Sequence, residues 1–127
     1  MTRVRPESQE ILAELERMRA GDEVVGTVTT GGTESCLLAV KTARDLWRRE
    51  NGEHERPRLV APTTAHAAFH KAAHYFDLAL DLVPVDVATG AVRADDIIAR
   101  LGPDVALVVV SAPSYPHAAL DPIAEVA

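Results

Sequence analysis

Val105-Ala106-Leu107-Val108-Val109-Val110 is an aliphatic run with no polar interruption. A strand with one wet face alternates apolar and polar residues, whereas an unbroken run suits a strand buried on both faces, as in parallel sheets covered by helices. The run is far short of the roughly 20 residues that a membrane-crossing helix needs. The remaining strand-like segments fit the same scheme. Arg58 to Ala61, ending at Pro62, and Leu78 to Val85 alternate with helical patterns along the chain, as does Asp104 to Ser111. Strands alternating with helices at this spacing imply βαβ crossovers. The expected class is therefore α/β, with a mainly parallel sheet covered on both faces. At 127 residues and 47% hydrophobic content, the chain is sized for one domain with a modest core.

The helical patterns place the connections. Ile11, Leu12, Leu15 and Met18 recur at helical spacing, with Ser8 placed to cap that helix and Ala20-Gly21-Asp22 to end it. Glu23 to Thr29 reads as a strand. Cys36, Leu37, Val40, Ala43 and Trp47 then form one apolar stripe of a helix of four turns or more, closed by Asn51-Gly52. Glu53 to Arg58 is a charged, solvated loop. Thr63 or Thr64 is expected to cap a helix from about Ala65 to Phe76, and Asp95 to Leu101 gives another helix, broken by Gly102-Pro103. Asp86 to Val92 is a turn region. Asp121-Pro122 has a capping aspartate and a proline suited to a first helical position, opening a helix of about two turns.

Thirteen basic against nineteen acidic side chains give a net charge of −6, which disfavours a nucleic-acid surface and an anionic membrane surface. The single cysteine, Cys36, lies at a spacing that suits a buried structural thiol. Nothing after Met1-Thr2-Arg3-Val4-Arg5 has the apolar core of a secretory signal, so a cytoplasmic location is expected.

Ligands of parallel α/β sheets sit beyond the carboxyl ends of the strands. Three segments meet that condition: Thr30 to Glu34, Pro62 to His66, and Ser111 to His117. In the first, Gly31 and Gly32 join a β-branched run to a helix, so that backbone N–H groups of the first turn can face an anion. Taken alone, this layout fits either a phosphate site or a plain tight turn. His66, His70 and His74 fall along one helix face, but no Cys, Asp or Glu in that helix completes a metal site, and none is expected. Ser114 and His117 are close in sequence, yet nothing resembles a Gly-x-Ser-x-Gly elbow, which argues against a hydrolase. Asp95 and Asp96 open a helix and read as partners of its dipole.

Thr30-Gly31-Gly32-Thr33-Glu34-Ser35, Leu38 to Asp45, Ala65 to Phe76, Ser111-Ala112-Pro113-Ser114-Tyr115-Pro116-His117 and Leu120-Asp121-Pro122-Ile123 together carry a resemblance. In order and approximate spacing they resemble the sphingosine-1-phosphate lyase family, within the group II decarboxylase superfamily of pyridoxal-phosphate enzymes. The resemblance covers about residues 22–127. It implies the amino-terminal part of a fold type I large domain, a partial three-layer sandwich, with residues 1–21 as a separate helix and linker. It also implies that Gly32 and Thr33 hold the phosphate of pyridoxal 5'-phosphate, that His66 stacks on the pyridine ring, and that Ser114 and His117 approach the cofactor's far side. Where the family usually has a glycine after that last histidine, this chain has Ala118.

Pyridoxal chemistry needs a lysine for the internal Schiff base and an acid at the pyridine nitrogen. The resemblance places both after the matched segments. The chain's two lysines, Lys41 and Lys71, occupy helical positions that the family uses otherwise. The expectation is a fragment of a carbon–carbon lyase, inactive alone, with no catalytic residue among these positions. Such a piece would expose a sheet edge and depend on a complementing carboxyl-terminal half or a homodimer. An amino-acid decarboxylase fragment and a noncatalytic anion-binding or interaction protein are the alternatives.

Overall fold

The structure is a computed structural model that describes residues 26–53 and 55–127. The helix expected around Ile11 to Met18 and the proposed 1–21 unit lie outside the described residues. The elements are α1 (Gly32–Asn51), β1 (Arg58–Pro62), α2 (Ala67–Tyr75), β2 (Ala79–Val83), α3 (Ala94–Ile98), β3 (Val105–Val108) and α4 (Ile123–Val126). The strands form one parallel sheet in the order β2-β1-β3. The α/β class and the parallel sheet are as expected.

Strand β1 sorts the core into two sides. Leu59 and Ala61 pack with Val40 of α1, Ala72 and Ala73 of α2, Leu78 and Val109, while Val60 points the other way onto Val83, Val92 and Ile97 of α3. Val126 of α4 packs against that second cluster. Helices α1 and α2 thus cover one face and α3 and α4 the other, giving three layers. Each fully buried Leu or Val here contributes on the order of 1.5–3 kcal/mol through lost apolar hydration. Register against β2 is regular, Arg58↔Ala79 through Pro62↔Val83. Against β3 it slips, with Arg58↔Val105 followed by Leu59↔Leu107. The slip makes Ala106 an extra residue, which is why Ala106 and Leu107 pack on the same cluster instead of alternating.

The amino ends of the strands are held by a guanidinium fork. Arg58 donates from Nε to Asp104 Oδ2 at 2.6 Å, from Nη2 to Asp104 Oδ1 at 2.9 Å and from Nη1 to Asp81 Oδ2 at 2.7 Å, and Arg100 also pairs with Asp81. Both carboxylates hold the Arg58 guanidinium above its ordinary range, the Asp104 hydrogen bonds foremost, and Arg58 holds the Asp104 carboxyl below its own.

Three expectations are corrected. Of the strand expected from Glu23 to Thr29, residues 23–25 lie outside the described residues, while residues 26–29 are irregular and Val28 is 97% exposed. Their β-branched side chains find no neighbouring strand among the described residues, and Thr29 Oγ1 turns instead to the Gly31 carbonyl. Cys36 is only half-buried, whereas Val40 carries the buried position of the α1 stripe. Asp121 does not cap α4: the N-cap is Pro122, without a side-chain bond, and the aspartate serves longer-range contacts described below.

Candidate functional site

Helix α1 runs antiparallel to the strands. Trp47 Nε1 donates to the Pro103 carbonyl at 2.9 Å, just before β3, so the carboxyl-terminal half of α1 lies beside the strands' amino ends. Gly32 is one turn after another away, about 22 Å at roughly 1.5 Å per residue. That distance brings the start of α1 to the carboxyl edge of the sheet, where β1 and β3 also end.

The start of α1 has the chemistry of an anion cradle. Its N-cap, Gly31, is extended (φ 167°, ψ 173°) and makes no side-chain cap. The first bond into the helix is Ser35 N–H to the Gly31 carbonyl at 3.1 Å. Among the described residues no group accepts from the N–H of Gly32, Thr33 or Glu34. A Cβ built on Gly31 or Gly32 would meet nothing within 4 Å, and Thr33 is exposed. Open backbone donors at the positive end of a 20-residue helix fit a phosphate group. Behind them, Glu34 Oε2 accepts from Thr30 N–H at 2.7 Å and Thr30 Oγ1 at 2.6 Å. The Thr30 hydroxyl, then its N–H, hold the Glu34 carboxyl below the usual range.

His66 lies at the end of β1 and caps α2. Its Nδ1 accepts from Ala68 N–H at 3.1 Å, so the neutral ring carries its proton on Nε2 while the ring remains exposed. This corrects the expected Thr63 or Thr64 cap. Ala65 N–H closes a turn onto the Pro62 carbonyl at 2.9 Å, which carries the chain two residues past the threonines before the helix begins. Thr64 is left 8% exposed, and its hydroxyl has no partner.

The loop after β3 reaches His66 through Tyr115. The two rings meet edge to face, with centroids 5.1 Å apart and an interplanar angle of 82°. Tyr115 is itself 82% exposed. Ser114 is buried and closes the loop: its N–H donates to the Ala119 carbonyl at 2.7 Å, and its Oγ accepts from Ala119 N–H at 3.3 Å. His117 is exposed and stands over Gly90, whose absent Cβ would lie 3.0 Å from the His117 Cβ. It lines a concavity of about 480 Å³ with Val85, Asp86, Val87, Ala88 and Thr89. Ala118 adopts φ 52°, the left-handed conformation that glycine takes without strain.

Asp121 secures this loop from beneath. Its Oδ2 accepts from Ser111 N–H at 2.9 Å and its Oδ1 from Val92 N–H at 3.3 Å, although only 4% of the residue is exposed. The structure therefore brings His66 and the Tyr115 loop together, sets His117 over the Asp86 to Gly90 turn, and gives Ser114 a loop-closing place. Glu34, Tyr115 and Asp121 were not singled out as site residues from sequence. Only Glu34 had a local signal, three residues after the helix cap. His70 is half-buried and His74 exposed, and no group of three or more potential metal ligands occurs among the described residues.

The fold is that of part of the large domain of the fold type I pyridoxal-phosphate enzymes. A glutamate decarboxylase of Lactobacillus brevis shares the fold over 94% of this chain and 29% of its own, with a TM-score of 0.75 at 21% identity. Within that class the chain is related in sequence to the sphingosine-1-phosphate lyases. It is 42% identical to sphingosine-1-phosphate lyase 1 of Rattus norvegicus over 130 aligned positions, 96% of this chain and 22% of the relative. The sphingosine-1-phosphate lyase structure from Burkholderia pseudomallei matches with a TM-score of 0.70 and 41% identity over 75% of this chain and 21% of that one. The chain spans about a fifth of the length of the curated relatives it matches. No family model matches it. The lyases and decarboxylases it resembles are pyridoxal-phosphate-dependent.

Proposed function

We propose that this chain supplies the phosphate-holding and ring-stacking part of a pyridoxal-phosphate site in a carbon–carbon lyase acting on a phosphorylated long-chain amino alcohol. The observation that carries the proposal is the open set of N–H groups at Gly32, Thr33 and Glu34, on the sheet edge where His66 is also exposed. Gly32 and Thr33 would donate to the phosphate, with the Thr33 hydroxyl as a further donor. His66, its Nδ1 fixed by the Ala68 N–H, would offer a ring face to the pyridine, and Tyr115 limits how that ring tilts. Ser114 and His117 belong to the loop proposed to border the cofactor's far side. Bound pyridoxal phosphate supplies an electron sink for the bond that breaks.

On this proposal neither of the chain's two lysines forms the covalent link. Lys41 pairs with Asp45 at 2.5 Å within α1, and the Lys71 ammonium lies 5.6 Å from the Tyr75 ring centroid on α2. We assign residues 22–127 to cofactor binding and the Schiff-base lysine to residues other than these, with a complementing carboxyl-terminal half or a homodimer as the partner. A decarboxylase parent is the second choice, since the likeness to the decarboxylase structure is one of fold. A cytoplasmic location goes with this assignment; among the described residues no helix is long and apolar enough to cross a membrane.

Titration of the 127-residue chain with pyridoxal phosphate tests the proposal. Reversible binding that inorganic phosphate competes away is expected, with no lyase turnover and no stoichiometric adduct after borohydride. Absence of binding would refute the cofactor assignment, and turnover would refute the assignment of the lysine.

A further inference from the structure

The donors at the start of α1 remain open because its cap is only half built. In a capping box, a Ser or Thr at the N-cap accepts from the N–H three residues on, while a Glu at that third position reaches back to the N-cap N–H. Gly31 has no side chain, so the half that would consume a helix N–H is missing. The other half is present and displaced by one residue. Glu34 reaches past Gly31 to Thr30, accepting from both its N–H and its hydroxyl at 2.7 and 2.6 Å. Alongside, Thr29 Oγ1 lies 2.6 Å from Ser35 Oγ and donates to the Gly31 carbonyl at 3.0 Å. Two side chains of the first turn thus bind the two residues that precede the glycine pair. Neither tie touches the N–H of Gly32, Thr33 or Glu34.

We propose that Glu34 is a positioning residue for the phosphate cradle: by holding Thr30 it fixes the extended Gly31 peptide, so that the helix N–H groups face a phosphate monoester unobstructed. This rests on the cofactor assignment above. Glu34 does not itself touch the ligand, and its charge acts against its geometry. A carboxylate within one turn of a phosphate repels it, well inside a Debye length of about 8 Å. The hydrogen bonds to Thr30 must therefore account for its benefit, and the two effects separate by substitution. Glu34→Gln keeps an acceptor oxygen for Thr30 and removes the charge; Glu34→Ala removes both.

The test measures affinity of the full chain for pyridoxal phosphate and, separately, for inorganic phosphate, with hydrogen exchange at the Thr30 amide as a ligand-free readout. Glu34→Ala is expected to weaken both affinities about tenfold, the scale of one charge-assisted hydrogen bond, and to expose the Thr30 amide to rapid exchange. Glu34→Gln should match or exceed the wild-type affinity and keep that amide protected. Unchanged binding in Glu34→Ala overturns the proposal, as does a Glu34→Gln variant that binds as poorly as Glu34→Ala. If Glu34→Ala loses helix content, Thr30→Val decides, because it removes only the hydroxyl tie. A roughly threefold weakening supports the proposal, and unchanged affinity overturns it. A wild-type chain that binds neither pyridoxal phosphate nor phosphate overturns the cofactor assignment and this inference together, whereas normal wild-type binding with indifferent variants overturns this inference alone.

Discussion

Replacing Asp121 with alanine should destabilise the protein more than any surface change, because its carboxylate is the only acceptor described for two backbone N–H groups from separate elements. The Ser111 N–H reaches Oδ2 at 2.9 Å and the Val92 N–H reaches Oδ1 at 3.3 Å, with the residue 4% exposed. A hydrogen bond to a charged group contributes about 1.5–3 kcal/mol, the longer bond less, and an orphaned buried donor retains its desolvation cost. Ser111 is half-buried, so water can reach its amide; Val92 is 3% exposed, and its amide has no such relief. These considerations place Asp121→Ala at about 3 kcal/mol and Asp121→Asn, which keeps one acceptor oxygen, at about half of that. For a chain of this size the alanine variant should melt roughly 10 °C lower. Urea unfolding followed by circular dichroism gives the free energy, with the urea dependence itself unchanged. The same substitution loosens the 111–121 loop, so the Tyr115 ring should lose its contact with His66 and the near-ultraviolet signal should weaken. A loss of less than about 0.5 kcal/mol would refute the reasoning, since that is the scale of an ordinary surface substitution.

Ala118 holds φ 52°, so Ala118→Gly should raise stability by about 1 kcal/mol in the same urea assay, the relief of left-handed strain exceeding the added freedom of the unfolded chain. Thr64→Val removes a buried hydroxyl that has no partner and should also stabilise, by about 1 kcal/mol; a loss would mean that the hydroxyl is satisfied in solution. The Arg58 fork lowers the Asp104 pKa in the folded state, so its stabilisation is complete above about pH 4, the ordinary aspartate range, and disappears as pH falls through the lower folded value. Urea midpoints measured from pH 6 to pH 2 should therefore fall less steeply for Asp104→Asn than for the wild type.

The parts legible in the sequence are those whose cause is local. The α1 stripe ends at Asn51 because Gly52 takes φ 124°, and β1 ends at Pro62; both boundaries follow from residue types at the boundary itself. The carboxyl-edge location of His66 and His117 follows from counting strands and helices, without contacts, whereas that of Gly32 follows from the Trp47 contact with Pro103. What was hidden depends on partners distant in the chain or on equally good local choices. Six aliphatic residues from Val105 to Val110 contain no polar marker, so the slip at Ala106 leaves no trace in the pattern. Threonine is the better N-cap by type, but the turn at Pro62 to Ala65 moves the helix start to His66. Asp121 beside Pro122 imitates a cap, while its actual partners lie ten and twenty-nine residues away in sequence.

The same distinction explains the division of labour at the site. A helix start serves a ligand only if its own side chains leave the N–H groups alone, and Ser, Thr, Asp or Asn at the cap would not. Glycine at position 31 satisfies that condition but gives up control of the backbone, since glycine costs the most entropy to hold in one conformation. That control has to come from side chains bonded on either side of the glycines. Glu34 to Thr30 and Ser35 to Thr29 are such bonds, each between a helix residue and a residue before the cap. On the proposed assignment, the polar residues flanking Gly31 and Gly32 would therefore belong to the phosphate cradle as much as the glycines do, although a ligand would touch few of them.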